Sequence, residues 1–126
     1  MRLYFRGELG SGKSTLIRGL LQALGVTARI KSPTYTLVER YVVSRLNLYH
    51  FDFYRFLSAR EFSDAGLADY FEGEGVCLVE WPERAGDALP RPDLEFTLAY
   101  AGSGRTVSAH AHSKPGEQCL RSLSES

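Results

Sequence analysis

An α/β fold of three layers, built on a mixed and partly antiparallel central sheet, is predicted for this chain by three observations. A short apolar run, Leu3 to Phe5, leads through a glycine-rich turn into a segment of helical periodicity. Two stretches rich in β-branched and aromatic residues flank Ser44, the pattern of an antiparallel hairpin. A fully apolar run, Val76-Cys77-Leu78-Val79, reads as a central strand buried on both faces. A hairpin is unusual in a doubly wound arrangement, so its presence makes the sheet mixed. The 126 residues match the size of one ordinary domain, and residues 1–126 are read as such, without repeat, low-complexity tract or linker.

Taken in order, Leu3 to Phe5 form a buried strand and Lys13 to Leu24 a helix with Leu16, Ile17, Leu20, Leu21 and Leu24 on one face; Gly25 stops it. Ser32-Pro33-Thr34-Tyr35 breaks the pattern, because proline drives its predecessor toward extended geometry. The hairpin follows as Thr36 to Val43 and Arg45 to Asp52. Ser58-Ala59-Arg60-Glu61 is a capping box, which predicts a helix from about residue 59 that breaks near Gly66 and resumes over Leu67 to Phe71. After the Val76 strand, Pro90-Arg91-Pro92 interrupts the chain. Leu94 to Tyr100 and Arg105 to Ala111 form a second hairpin through Gly102-Ser103-Gly104. The tail, residues 114–126, is expected to hold a short, fraying helix from Gly116.

Fifteen basic residues balance fifteen acidic ones, and no basic run exceeds two, which argues against a freestanding nucleic-acid binder or a membrane-surface protein. RNA contact is therefore expected only through a partner. Cys77 and Cys119 are far apart and lack metal-ligand or C-x-x-C spacing, as reduced cytosolic thiols do. The opening apolar run is too short for a signal peptide and no later stretch approaches a membrane span, so a cytoplasmic location is expected.

Gly7-Glu8-Leu9-Gly10-Ser11-Gly12-Lys13-Ser14 fits G-x-x-x-x-G-K-[ST] in the strand-to-helix context that pattern requires, which makes the expected fold P-loop NTPase-like. Glycine lets the backbone close on oxyanions and turn successive N–H groups inward. Gly10, Ser11, Gly12, Lys13, Ser14 and Thr15 are the expected nucleotide-binding residues, with Lys13 reaching the outer phosphates and the Ser14 hydroxyl placed for Mg²⁺. The alternative is a glycine-rich turn that merely joins a strand to a helix. Phosphoryl chemistry also needs carboxylates. Glu80 follows the Val76 run at the C-terminal end of a strand, as a Walker B acid does, and Asp52 ends the second hairpin strand. Each could instead be a solvated strand-end acid. His50 is weighed as structural, Trp81 as either core edge or a side chain over the site, and Ser32 to Tyr35 as either an inert turn or a switch loop.

These motifs together resemble the TsaE (YjeE) family of bacterial ATPases: the phosphate loop extended to Thr15, then Lys31-Ser32-Pro33-Thr34-Tyr35-Thr36-Leu37-Val38, His50-Phe51-Asp52-Phe53-Tyr54-Arg55 and Leu78-Val79-Glu80-Trp81-Pro82-Glu83. The similarity runs from about residue 2 to residue 110. It implies an ATP- and Mg²⁺-dependent hydrolase that drives or resets a partner complex, with TsaD and TsaB type subunits, in making N6-threonylcarbamoyladenosine at position 37 of tRNA. Low intrinsic turnover is implied, as is tRNA held through the complex. Lys13, Asp52 and Glu80 take the catalytic positions, Ser14 and Glu80 the metal positions, and Asp52 and Arg105 lie near the nucleotide; either acid could touch Mg²⁺, with Glu80 favoured.

The chain departs from that family by starting at Met1, where members usually carry roughly two dozen further residues that help to enclose the adenine. A short first strand left as an unprotected sheet edge is the corresponding expectation. The runner-up function is a small-molecule or nucleotide kinase, which requires a second substrate pocket and a basic lid, and no arginine-rich lid segment is seen. A third is a non-hydrolysing ATP-binding module, disfavoured by the pair Asp52 and Glu80.

Overall fold

A computed structural model of the chain describes residues 1–31, 33 and 36–125. Its elements are β1 (Arg2–Arg6), α1 (Lys13–Ala23), β2 (Val38–Val43), β3 (Leu46–Asp52), α2 (Arg60–Asp64), α3 (Ala68–Glu72), β4 (Val76–Glu80), β5 (Leu94–Ala101), β6 (Gly104–Ala111) and α4 (Lys114–Glu125), with 3₁₀ turns over Pro82–Ala88. The six strands make one sheet in the order β2-β3-β4-β1-β5-β6. The inner four run parallel, while β2 and β6 are antiparallel to their neighbours. The mixed sheet expected from the two hairpins is therefore present, each hairpin adding an outer strand.

The expectation of an exposed first strand is overturned. β1 lies between β4 and β5, with Leu3 opposite both Leu78 and Leu94. Its three consecutive apolar residues, Leu3, Tyr4 and Phe5, are all buried, which suits a strand covered on both faces and would be wasted at an edge. The outer positions fall to β2 and β6, which carry exposed polar residues such as Arg105 and His110.

Alternation along the strands creates two cores. Leu3, Phe5, Leu48 and Leu78 meet Ile17 and Leu21 of α1, and Cys119 and Leu120 of α4 join that side. Tyr4, Phe51 and Val79 face the other way, against Phe62 of α2 and Phe71 of α3. Helices thus cover both sheet faces, which gives the three layers. Cys77 and Cys119 are free thiols, and burial pushes Cys77 up to about 11. No helix among the described residues is long and apolar enough to cross a membrane.

Local signals explain where the helices start and stop. Gly25, at φ 110°, ends α1 with two bonds, Gly25 N–H to Gln22 O at 3.0 Å and Val26 N–H to Leu21 O at 3.0 Å. These are the paired bonds of a Schellman cap. Glu61 reaches back to accept the Ser58 N–H at 3.0 Å, and Gly66, at φ 69°, separates α2 from α3.

The tail differs from expectation. Its helix begins at Lys114 rather than Gly116, because Ser113 caps it: Ser113 Oγ accepts the Gly116 N–H at 3.1 Å and donates to Asp93 Oδ1 at 2.7 Å. Asp93 also accepts the Arg2 N–H at 2.8 Å, so one carboxylate ties α4 to β1 and to the start of β5. Burial works against that charge, but the Ser113 hydroxyl and the Arg2 N–H hold the Asp93 carboxyl below its usual range. Gly116 comes so close that a Cβ there would sit 1.9 Å from the Asp93 carbonyl oxygen. That oxygen is itself bonded by His112 N–H at 2.8 Å and cannot easily yield. Gly116→Ala is expected to lower stability by about 1–3 kcal/mol, the usual cost of overpacking. Gly19→Ala, at an exposed position of α1 where the added carbon would meet no described atom within 4 Å outside the helix's own turn, should instead raise stability by about 0.5–1 kcal/mol. Thermal melts of both variants check the contrast, and equal midpoints would refute it.

Candidate functional site

β1 delivers the chain into the glycine-rich loop at the C-terminal edge of the sheet, where parallel strands present their ligand-binding side. Gly7, Gly10 and Gly12 all have positive φ, at 150°, 78° and 103°. A Cβ on Gly7 would stand 2.6 Å from the Leu98 carbonyl oxygen, so this glycine lets the loop press against β5. Ser11 is buried inside the loop and its hydroxyl has no partner among the described residues.

A cleft of about 370 Å³ opens above the loop, lined by Leu9, Gly10, Gly12, Lys13, Ser14, Thr15, Asp52, Tyr54, Glu80 and Trp81. A larger hollow of about 520 Å³ lies beside Asn47, Tyr49, Tyr70 and Gly75. That hollow is at the N-terminal ends of β3 and β4, away from the phosphate loop, so the smaller cleft is the functional candidate.

Two carboxylates far apart in sequence meet because β3 and β4 pair in parallel with Asp52 opposite Glu80. Glu80 is 3 % exposed. Its Oε1 accepts the Ser14 hydroxyl at 3.0 Å, and its Oε2 lies 2.8 Å from His50 Nε2. Asp52 Oδ1 accepts the Tyr54 N–H at 2.9 Å. Burial raises the Asp52 carboxyl above its usual range; the Tyr54 N–H opposes this and the neighbouring Glu80 charge adds to it.

Lys13 is 4 % exposed and folded back on its own loop. Its Nζ donates to the Gly7 carbonyl and, at 3.1 Å, to the Glu8 carbonyl, and stands 3.9 Å over the Trp81 ring. Burial lowers the Lys13 ammonium from its ordinary value, against the pull of Glu80, Glu83 and Asp52. Among the described residues it forms no ion pair. A desolvated cation without a counter-ion, beside inward-facing loop backbone, is suited to a phosphate. Trp81 reaches this position through a left-handed backbone, φ 57° and ψ 49°, immediately before Pro82. Both of its readings hold: its ring packs on the edge of the core built around Phe51 and Val79, and it also stands over the site.

Arg105 lies at the rim rather than in the cleft. It stacks 4.1 Å from the Tyr100 ring and donates to the Gly10 carbonyl at 3.4 Å, while the Tyr100 hydroxyl donates to the Leu9 carbonyl at 3.1 Å. Tyr100 was not singled out by sequence, and its place at the end of β5 beside a glycine turn was the available signal. Of the loop considered as a switch, Ser32, Thr34 and Tyr35 lie outside the described residues, and Pro33 is buried. The hydroxyl of Ser14 and the carboxylates of Glu80 and Asp52 are hard oxygen donors at the loop, a set that fits Mg²⁺ shared with phosphate oxygens.

Residues 1–107 match the family described as "Threonylcarbamoyl adenosine biosynthesis protein TsaE". A Haemophilus influenzae protein named tRNA threonylcarbamoyladenosine biosynthesis protein TsaE is 38% identical over 122 residues, covering 97% of this chain and 77% of its own length. A Bacillus subtilis protein of the same name is 42% identical over 100 residues, covering 79% of this chain and 62% of its own. The crystal structure of Bacillus subtilis YdiB superposes with a TM-score of 0.79 at 35% identity, covering 98% of this chain and 76% of that one.

Proposed function

Since the chain belongs to the TsaE family, whose members act in tRNA threonylcarbamoyladenosine biosynthesis, we propose that it is the ATPase of that modification. ATP hydrolysis at the phosphate loop would drive or reset a partner complex of TsaD and TsaB type subunits, which would hold the tRNA and carry out threonylcarbamoyl transfer to A37. The observation that carries this reading is the pairing of Asp52 with Glu80 across β3 and β4, with Glu80 bonded to Ser14 at the mouth of the loop.

The steps assigned to this chain follow from its groups. Triphosphate oxygens displace the loop carbonyls as partners of Lys13 Nζ, exchanging neutral acceptors for charged ones. The loop N–H groups and the start of α1 hold the phosphates by dipole and hydrogen bond. Ser14 and Glu80 would hold Mg²⁺, which when bound neutralises charge developing on the phosphates. Asp52 accepts a hydrogen bond from the attacking water; burial, by raising its proton affinity, makes it a stronger base.

Trp81 is the single tryptophan of the chain, so its emission reports the departure of Lys13 from its ring. Adding ATP with Mg²⁺ is expected to change that emission saturably, and the partner complex with tRNA is expected to stimulate hydrolysis at least about tenfold. Robust phosphoryl transfer to nucleosides without any partner would replace this reading with a kinase.

A further inference from the structure

His50 is polar, 2 % exposed, and set among apolar neighbours: Leu48 precedes it on the same face of β3 and Leu78 lies opposite it on β4. Packing alone does not account for it. Its Nδ1 is buried without a hydrogen-bond partner among the described residues, a penalty that leucine or phenylalanine would avoid. The compensating contact is Nε2 to Glu80 Oε2 at 2.8 Å.

That contact has a direction. Glu80 Oε1 already accepts the Ser14 hydroxyl, so the two carboxylate oxygens are divided between the cleft and the protein interior. A carboxylate with one oxygen held by a buried donor loses rotation about its last bond and presents the other oxygen at a set angle. For Glu80 to act as an anion at the metal position, the proton of this pair belongs on Nε2, and the imidazole is the donor.

We infer that His50 is a positioning residue of the nucleotide site, orienting Glu80 through Oε2 so that Oε1 faces Ser14 and the phosphates. It touches neither nucleotide nor metal in this role. The inference rests on the reading of Glu80 as a metal-site acid, and its test separates the two ideas.

The probe is Mn²⁺ binding to the ADP complex of the full chain, followed by electron paramagnetic resonance, alongside ADP affinity in the presence of chelator. In His50→Leu the metal-free ADP affinity should stay within about twofold, whereas Mn²⁺ half-saturation should rise about 10–100-fold, the usual range for an outer partner of a metal ligand. His50→Gln can place an amide N–H where Nε2 stands and should recover most of that loss. His50→Asn cannot reach so far and should behave like the leucine variant, which gives a second polar comparison should His50→Leu fold poorly. Unchanged Mn²⁺ binding in His50→Leu or His50→Asn overturns the inference, as does an equal fall in metal-free ADP affinity, which would mean a packing role. Glu80→Gln is the control. If it weakens Mn²⁺ while the His50 variants do not, only the positioning role falls; if it too leaves Mn²⁺ binding intact, the reading of Glu80 falls with it.

Discussion

Lys13→Ala is expected to weaken ATP binding at least about a hundredfold, or about 3 kcal/mol, while leaving the fold intact. In the free protein, Lys13 is bonded to two neutral carbonyls and the face of Trp81, and burial disfavours its charge. Bound to triphosphate, the same ammonium would make charge-assisted bonds, each worth about 1.5–3 kcal/mol, so the loss falls mainly on the complex. The folded protein binds the Lys13 proton less tightly than the unfolded chain does, so this group costs stability when charged. Removing it should therefore shift the melting midpoint of the free protein by no more than a few degrees. Lys13→Arg is not expected to rescue, because a planar fork cannot enter a cradle shaped for a compact ammonium. Calorimetric titration with ATP, paired with thermal melts, checks both halves. Unaltered affinity in a folded variant would remove the loop from the proposal.

Asp52→Asn should lower hydrolysis by about 10²–10⁴-fold, the usual contribution of a general base, with nucleotide affinity nearly unchanged. The same change should make the free protein slightly more stable at neutral pH. Burial raises the folded pKa of Asp52 above the ordinary 3.8, so its contribution is fully present below 3.8 and is lost as pH rises through the folded value. At neutral pH the wild-type carboxylate is a partly buried anion beside Glu80, whereas asparagine keeps the bond from the Tyr54 N–H without the charge. Because the site is partly open to water, the gain should stay under about 1 kcal/mol, and it should vanish toward pH 4 and below, where both side chains are neutral. Melting curves across this range test the stability half. A variant that hydrolyses ATP at the wild-type rate would exclude Asp52 as the base.

Much of this architecture was legible because it rests on short-range rules. The phosphate loop, the glycine stop of α1 at Gly25, the turn at Ser44 and the second hairpin each depend on a few adjacent residues and were found where expected. The tail was less legible: Ser113, which caps it, is tied in place by Asp93, twenty residues earlier, which receives its hydroxyl. The place of β1 also escaped, since a three-residue apolar run shows that a strand is buried but not which strands cover it.

The candidate site divides in the same way. Residue type and local context in the sequence determined the glycine-rich loop, the two strand-end acids and the position of Trp81 next to Glu80, because each is a property of a strand end or a turn. Only the tertiary structure decided that Asp52 stands opposite Glu80, that Glu80 shares its carboxylate between Ser14 and His50, and that Lys13 rests on Trp81. The reason is register. Alternation assigns a side chain to a face of its own strand, but the neighbour it meets across the sheet depends on how the strands align, and that alignment is settled by the packing of the whole core.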